Sequence, residues 1–275
     1  NILRGLKDEM ADENDDGYIT GNELGNYLKI KVTEDSDNAQ TPQIQRYGTG
    51  EGEFAFEQFF DAFKQGSDYT KTQNFWFKEN GEIIKNGFLP LMKPEEMGEL
   101  PLLHYGKDEW IYEHGNGFVP MTYKHYLDYN GLGYNTVWSI GCPFKCTYCG
   151  NTAFIENDKK YRSIRNSPVQ FIIDELKQAL SHHPFISTVV FHDDSFLALP
   201  KRVLAEFAYE FKKQIDIPFC IAGVIPNYVR EDKLELLLAG GLNRVRMGIQ
   251  NASKRILDFY DRPTPPDRIY KAASV

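Results

Sequence analysis

Cysteine is scarce in this chain. Four of 275 residues are Cys (Cys142, Cys146, Cys149 and Cys220), and three of them fall within eight positions. A disulfide scaffold of this size would neither need nor space them so, and the pattern fits a reducing, cytoplasmic setting. Long apolar runs are also missing: nothing approaches the ~20 residues of a membrane-spanning helix, and no basic-then-apolar leader opens the chain. Nor is there a basic excess: the net charge is −8, so no nucleic-acid surface built on simple positive charge is expected. With 41% hydrophobic and 25% charged residues, the composition is globular and sufficient for one large or two small domains.

The charge is unevenly placed. Residues 1–57 hold 13 acidic and 5 basic side chains, which accounts for the whole net charge, while the remainder balances. Within this opening, residues 1–30 read as helix, polar loop, helix, and Asp12-Glu-Asn14-Asp-Asp16-Gly17-Tyr18-Ile19-Thr20-Gly-Asn-Glu23 follows the EF-hand loop pattern. Asp12, Asn14, Asp16 and Thr20 offer side-chain oxygens, Tyr18 its carbonyl and Glu23 two oxygens, so a calcium ion is the expected ligand. The plainer alternative is an acidic turn between two helices. Residues 31–53 read as a polar, Gly-containing linker.

Downstream, 54–64 (FAFEQFFDAFK) predicts a helix with Phe56, Phe59, Phe60 and Phe63 on one side. Asn80-Gly81 between two apolar runs predicts a hairpin, and 87–134 reads as irregular with short strands. From Tyr134 on, the pattern alternates between strand and helix. Strands are expected at 136–140, 187–194, 219–224 and 243–249. Helices are expected at 167–180 (with a Ser167/Gln170 capping box), 200–213 and 231–238, and again from about Asp267. Four βα units with short links imply a parallel sheet.

Cys142-Pro-Phe-Lys-Cys146-Thr-Tyr-Cys149 has the spacing C-x3-C-x2-C. Three thiolates on one loop can hold three irons of a [4Fe–4S] cube and leave the fourth open, whereas a structural zinc site wants four closed ligands. Incidental thiols, or a zinc module lacking a partner, are the alternatives. Cys220, in an apolar strand, reads as inert core, and His192 as a strand-end polar residue.

GYNTVWSIGCPFKCTYCGN resembles the first strand and cluster loop of radical S-adenosylmethionine enzymes. The likeness continues in VVFHDDSF and in VRMGIQNASKRILDFYDRP, both similar to the cobalamin-dependent subgroup, and covers roughly residues 50–275. It implies a (βα) barrel of parallel strands, here partial, with four of the family's six βα units over 135–275, preceded at 54–134 by the edge of a cobalamin-type domain. It implies a [4Fe–4S] cluster on Cys142, Cys146 and Cys149. It further implies S-adenosylmethionine lined by Tyr148, Gly150, Asp193, Asp194 and Gln250, and an electron donor such as a flavodoxin or ferredoxin. Cobalamin binding is not expected, because His114-Gly-Asn-Gly117 carries only the tail of that subgroup's signature. The resemblance leaves the substrate open. Residues 1–57 resemble the tail of caspase-like (metacaspase-type) peptidases, whose catalytic Cys/His pair has no counterpart here. A calcium-binding segment joined to an inactive barrel is the competing expectation.

Overall fold

The computed structural model describes residues 51–79, 81–103 and 109–275, together with Tyr27, Ile30 and Lys31. The chain divides into two compact units, Asn1–Tyr47 and Gly48–Val275; the EF-hand-like loop, from Asp12 to Glu23, lies outside the described residues. Helix α1 (Glu51–Lys64) begins three residues earlier than the sequence reading places it. Its Phe59 is buried and stacks on Phe75 at 5.1 Å, within a cluster that includes Phe56, Phe63, Tyr69 and Phe77. The expected hairpin follows as β1 (Trp76–Glu79) and β2 (Glu82–Lys85), paired antiparallel around a turn in which Gly81 has φ +86°.

The stretch read as irregular contains more order than its composition suggests. A short helix α2 (Pro94–Met97) precedes a second hairpin, β3 (Trp110–Glu113) with β4 (Gly117–Pro120), and then helix α3 (Tyr123–Asn130). The His114-Gly-Asn-Gly117 string forms the turn of that hairpin, with positive φ at Gly115 and Gly117.

The sheet proper holds β5 (Gly133–Thr136), β8 (Thr188–Phe191), β9 (Phe219–Val224) and β10 (Leu242–Met247), all parallel and in that spatial order. Between β5 and β8 come β6 (Ser139–Ile140), helix α4 (Asn151–Asn157), β7 (Arg165–Asn166) and helix α5 (Val169–His182). Helix α6 (Lys201–Gln214) joins β8 to β9, and α7 (Glu231–Gly240) joins β9 to β10. After β10 come α8 (Lys254–Phe259) and α9 (Pro266–Ala273). Because each strand lies beside the next in sequence, right-handed crossovers place the connecting helices on one face.

Strand register shows which face that is. The row Tyr134–Val189–Phe219–Leu242 is buried throughout, and so are Phe191 and Ile221 in the row beside it. These pack on Ile172, Ile173 and Leu176 of α5, on Leu204, Phe207 and Phe211 of α6, and on Leu237 of α7. Phe207 touches Phe191, Phe211, Phe219 and Trp138, the last stacked at 4.7 Å. Two polar pins tie helices to strands. Glu175 of α5 accepts from Tyr134 Oη (3.0 Å) and Thr136 Oγ1 (2.8 Å). Lys233 of α7 donates to the Leu197 and Leu199 carbonyls, each at 2.7 Å.

Two expectations need correction. The strand read at 136–140 is broken: β5 ends at Thr136, and Ser139–Ile140 instead pairs antiparallel with Arg165–Asn166. The reason is Asp193, whose carboxylate takes the backbone N–H of Trp138 and of Ser139, diverting both from the ladder. The capping box at Ser167/Gln170 does not form. Pro168 occupies the cap position, Gln170 bonds Asp174 instead, and the Ser167 carbonyl accepts from Trp138 Nε1. The helices at 201–214 and 231–240 and the strand at 219–224 otherwise follow their patterns closely, with Gly241 left-handed at the end of α7.

Candidate functional site

The cysteines lie on an excursion whose neck is the β6/β7 pair, so the loop leaves and re-enters the body at adjacent points. Gly141 opens it with φ +103°, and a Cβ there would lie 2.6 Å from the Ser163 carbonyl and 2.7 Å from that of Tyr161. Only glycine meets both conditions. The loop is then tied down at several points. Arg162 donates to the Pro143 carbonyl through Nε (3.1 Å) and Nη2 (2.8 Å), Thr152 Oγ1 donates to the Cys146 carbonyl (2.6 Å), and Thr147 N donates to the Tyr260 carbonyl (2.9 Å).

Cys142 and Cys146 are buried with Phe144 and Ile225, and Cys149 packs against them. Burial pushes the Cys142 thiol up to about 11, with Asp194, Cys146 and Cys149 adding in the same direction. The group is therefore a thiol in the metal-free protein and gives up its proton on ligation. Among the described residues, no set of three or more His, Cys, Asp or Glu side chains gathers around a single-ion position. A cube ligated by the protein at three corners takes three thiolates, and three thiols are the donor set this loop carries.

The acidic pair after β8 straddles this loop. Asp193 is 1% exposed; its Oδ1 accepts from Trp138 N (3.1 Å) and its Oδ2 from Ser139 N (2.7 Å) and Ser139 Oγ. Burial pushes its carboxyl up to about 6 despite those bonds. Both oxygens face the protein, so Asp193 braces the start of the cysteine loop. Asp194 lies nearer the thiols, hydrogen-bonded by the Asn151 side chain and the Gly141 backbone, and burial raises its carboxyl as well. The close approach has a second consequence: at Gly223 of β9 a Cβ would stand 1.7 Å from the Asp193 carbonyl oxygen, so the strand tolerates no side chain there.

Tyr148 is 48% exposed and meets Tyr260 edge-on at 4.9 Å. Gly150 is exposed with open space around it, at the start of α4. Gln250 is exposed with φ +62°, just past the end of β10. The loop, Asp194 and Gln250 thus follow carboxyl ends of parallel strands, the edge at which α/β sheets assemble sites. His192 Nε2 and Asn135 Oδ1 are 2.8 Å apart on the sheet face away from the helices. The row Asn135–Val190–Cys220–Arg244 crosses that same face. Cys220 is thus half-buried on the open face rather than in the core as the sequence reading had it.

Arg262, at the end of VRMGIQNASKRILDFYDRP, carries no functional signal in the sequence. It is 7% exposed, and its Nη1 lies 3.8 Å from Cys146 Sγ and 3.4 Å from Tyr148 Oη, while Nη2 donates to the Gly248 carbonyl at 2.6 Å. A lone Arg between Asp261 and Pro263 gives no periodic signal; only the fold brings it to a cysteine 116 residues away.

The model for the radical SAM superfamily matches residues 136–274. A Pyrococcus horikoshii protein, uncharacterized methyltransferase PH0819, is 26% identical over 242 residues, covering 87% of this chain and 47% of that protein. The chain thus spans about half the length of that curated relative. Among solved structures, the cobalamin-dependent S-adenosylmethionine radical enzyme OxsB, with aqua-cobalamin and S-adenosylmethionine bound, superposes with a TM-score of 0.57 at 17% identity. The match covers 81% of this chain and 30% of that one. The radical S-adenosylmethionine methyltransferase TsrM from Kitasatospora setae, with tryptophan and an S-adenosylmethionine analogue bound, gives 0.56 at 17% identity, covering 82% and 43%. These structures share the fold with this chain. Among the described residues no helix is long and apolar enough to cross a membrane.

Proposed function

Because the chain belongs to the radical SAM superfamily, and is by that membership an enzyme whose chemistry uses an iron–sulfur cluster and S-adenosylmethionine, we propose that Cys142, Cys146 and Cys149 are the three cluster ligands. The observation carrying this reading is the seating of the three thiols, tied down on one loop and packed together beside a buried guanidinium. A cluster held there would supply one-electron reductive cleavage of S-adenosylmethionine to methionine and a 5′-deoxyadenosyl radical, with the electron drawn from a donor such as a flavodoxin or ferredoxin.

The chain's own residues hold and orient. Asp193 fixes the backbone where the loop departs, so the thiols are pre-positioned and little ordering is needed on ligation. Asp194, beside Cys142 and Gly141, would accept a hydrogen bond from the amino group of S-adenosylmethionine. Tyr148, with its ring half exposed, and Gln250, at the end of β10, form the flanking walls; Gly150 leaves the approach open. The descriptions of PH0819 and TsrM as methyltransferases favour methyl transfer as the outcome, to an acceptor not yet identified.

Anaerobic reconstitution with iron and sulfide tests the assignment. Wild type is expected to take up a cubane's complement of iron and to show its broad charge-transfer absorption. Cys146→Ala is expected to lose both. Full iron loading in Cys146→Ala would refute the ligand set.

A further inference from the structure

Building on the cluster assignment above, we infer that Arg262 is a positioning residue for the iron–sulfur site. It supplies a hydrogen bond and a positive charge to the Cys146 sulfur and latches the segment after β10 onto the cysteine loop.

A guanidinium this deeply buried ordinarily has a carboxylate partner, because an isolated interior charge is costly. Arg262 forms no ion pair among the described residues. Its neighbours are a carbonyl (Gly248), a phenol (Tyr148), the Phe144 ring beneath it at 5.7 Å, and the Cys146 sulfur. Its Nε is buried with no hydrogen-bond partner. The missing anion is what the adjacent site would provide: thiolate-ligated cubes carry net negative charge, and more of it once reduced. Hydrogen bonds to the sulfurs and local charge set the potential of such clusters. A donor fixed on Cys146 therefore favours the reduced form.

The latch is independent of the charge. Gly248, at the end of β10, accepts from Nη2 while Nη1 faces the loop, so one planar group spans both elements. The Thr147 N to Tyr260 carbonyl bond and the Tyr148–Tyr260 ring contact run parallel to it. Lysine, with a single nitrogen, keeps the charge but cannot make both contacts at once.

The test compares the full chain, reconstituted anaerobically, as wild type, Arg262→Gln and Arg262→Lys. The readouts are iron content, the reduction potential from an EPR-monitored redox titration without S-adenosylmethionine, and, separately, S-adenosylmethionine affinity. Arg262→Gln is expected to load iron and to titrate at a more negative potential than wild type, with Arg262→Lys in between. If Arg262→Gln fails to load iron, the comparison of Arg262→Lys with wild type decides alone, and a negative shift is again required. Potentials that coincide at equal iron content overturn the proposal, even if S-adenosylmethionine binds more weakly, since Arg262 would then serve only that molecule. Failure of wild type itself to bind iron would instead refute the cluster assignment.

Discussion

The two faces of the parallel sheet differ in almost every respect, although they alternate residue by residue along the same strands. Toward the helices, Val189, Phe191, Phe219 and Ile221 are closed off by an aromatic layer that includes Trp138, Phe196, Phe207 and Phe211. Toward the other side stand Asn135, His192, Arg244 and Arg246, all exposed, with Cys220 half covered. The period-two geometry of a strand assigns stability to one set of side chains and leaves the other free for chemistry. The cysteine loop and its acidic neighbours sit where the two regimes meet, at the strand ends.

Substitutions can break that contrast. The largest stability loss is expected for Phe207→Ala, which opens a hole bordered by five aromatic rings. Truncations of this kind cost about 3–5 kcal/mol, and denaturant unfolding would measure it. A loss below about 1 kcal/mol would mean the aromatic layer is not the core it looks to be.

Asp193→Ala should come next. It strands the Trp138 and Ser139 N–H groups in the interior, at about 1–3 kcal/mol for each buried group left without an acceptor. The same carboxyl gives a pH signature. Its folded value of about 6 lies above the ordinary 3.8, so between those limits the folded chain holds a proton that the unfolded chain has released. Stability therefore rises as pH falls from about 6 toward 4. Asp193→Asn should flatten that slope relative to wild type; an unchanged slope would place the titration elsewhere.

A smaller effect is expected for Lys233→Met, which leaves two buried carbonyls without their donor. The neutral replacement packs the stem but makes no hydrogen bond, and about 1–3 kcal/mol is expected by calorimetry or denaturant titration. Smallest of all, His192→Ala and Arg246→Ala, on the open face, should move stability by no more than about 0.5 kcal/mol. A loss of several kcal/mol from either would erase the distinction between the faces.

Much of this arrangement was legible in the residues. FCIAGV is an unbroken apolar run and KRVLAEFAYEFKKQ repeats its apolar residues at helical spacing, so their limits are read to within a residue. The C-x3-C-x2-C spacing marks the loop on its own. Contacts between residues distant in sequence were not legible. Thr136 to Ile140 has the composition of one strand, yet Asp193, more than fifty residues on, captures its backbone donors and splits it. The hairpin at residues 110–120 lay in a stretch read only as irregular with short strands, because no clear period marks its limits. Arg262 carries no local pattern at all; its role exists only through proximity to Cys146 and Gly248.

The central claim, that three cysteines leave one iron free for S-adenosylmethionine, is tested most directly by EPR of the reconstituted and reduced protein with and without that molecule. The account predicts that the cluster signal changes shape on addition, because the amino and carboxylate groups would ligate the iron that no cysteine holds. A signal identical in both samples, at full iron content, would contradict it.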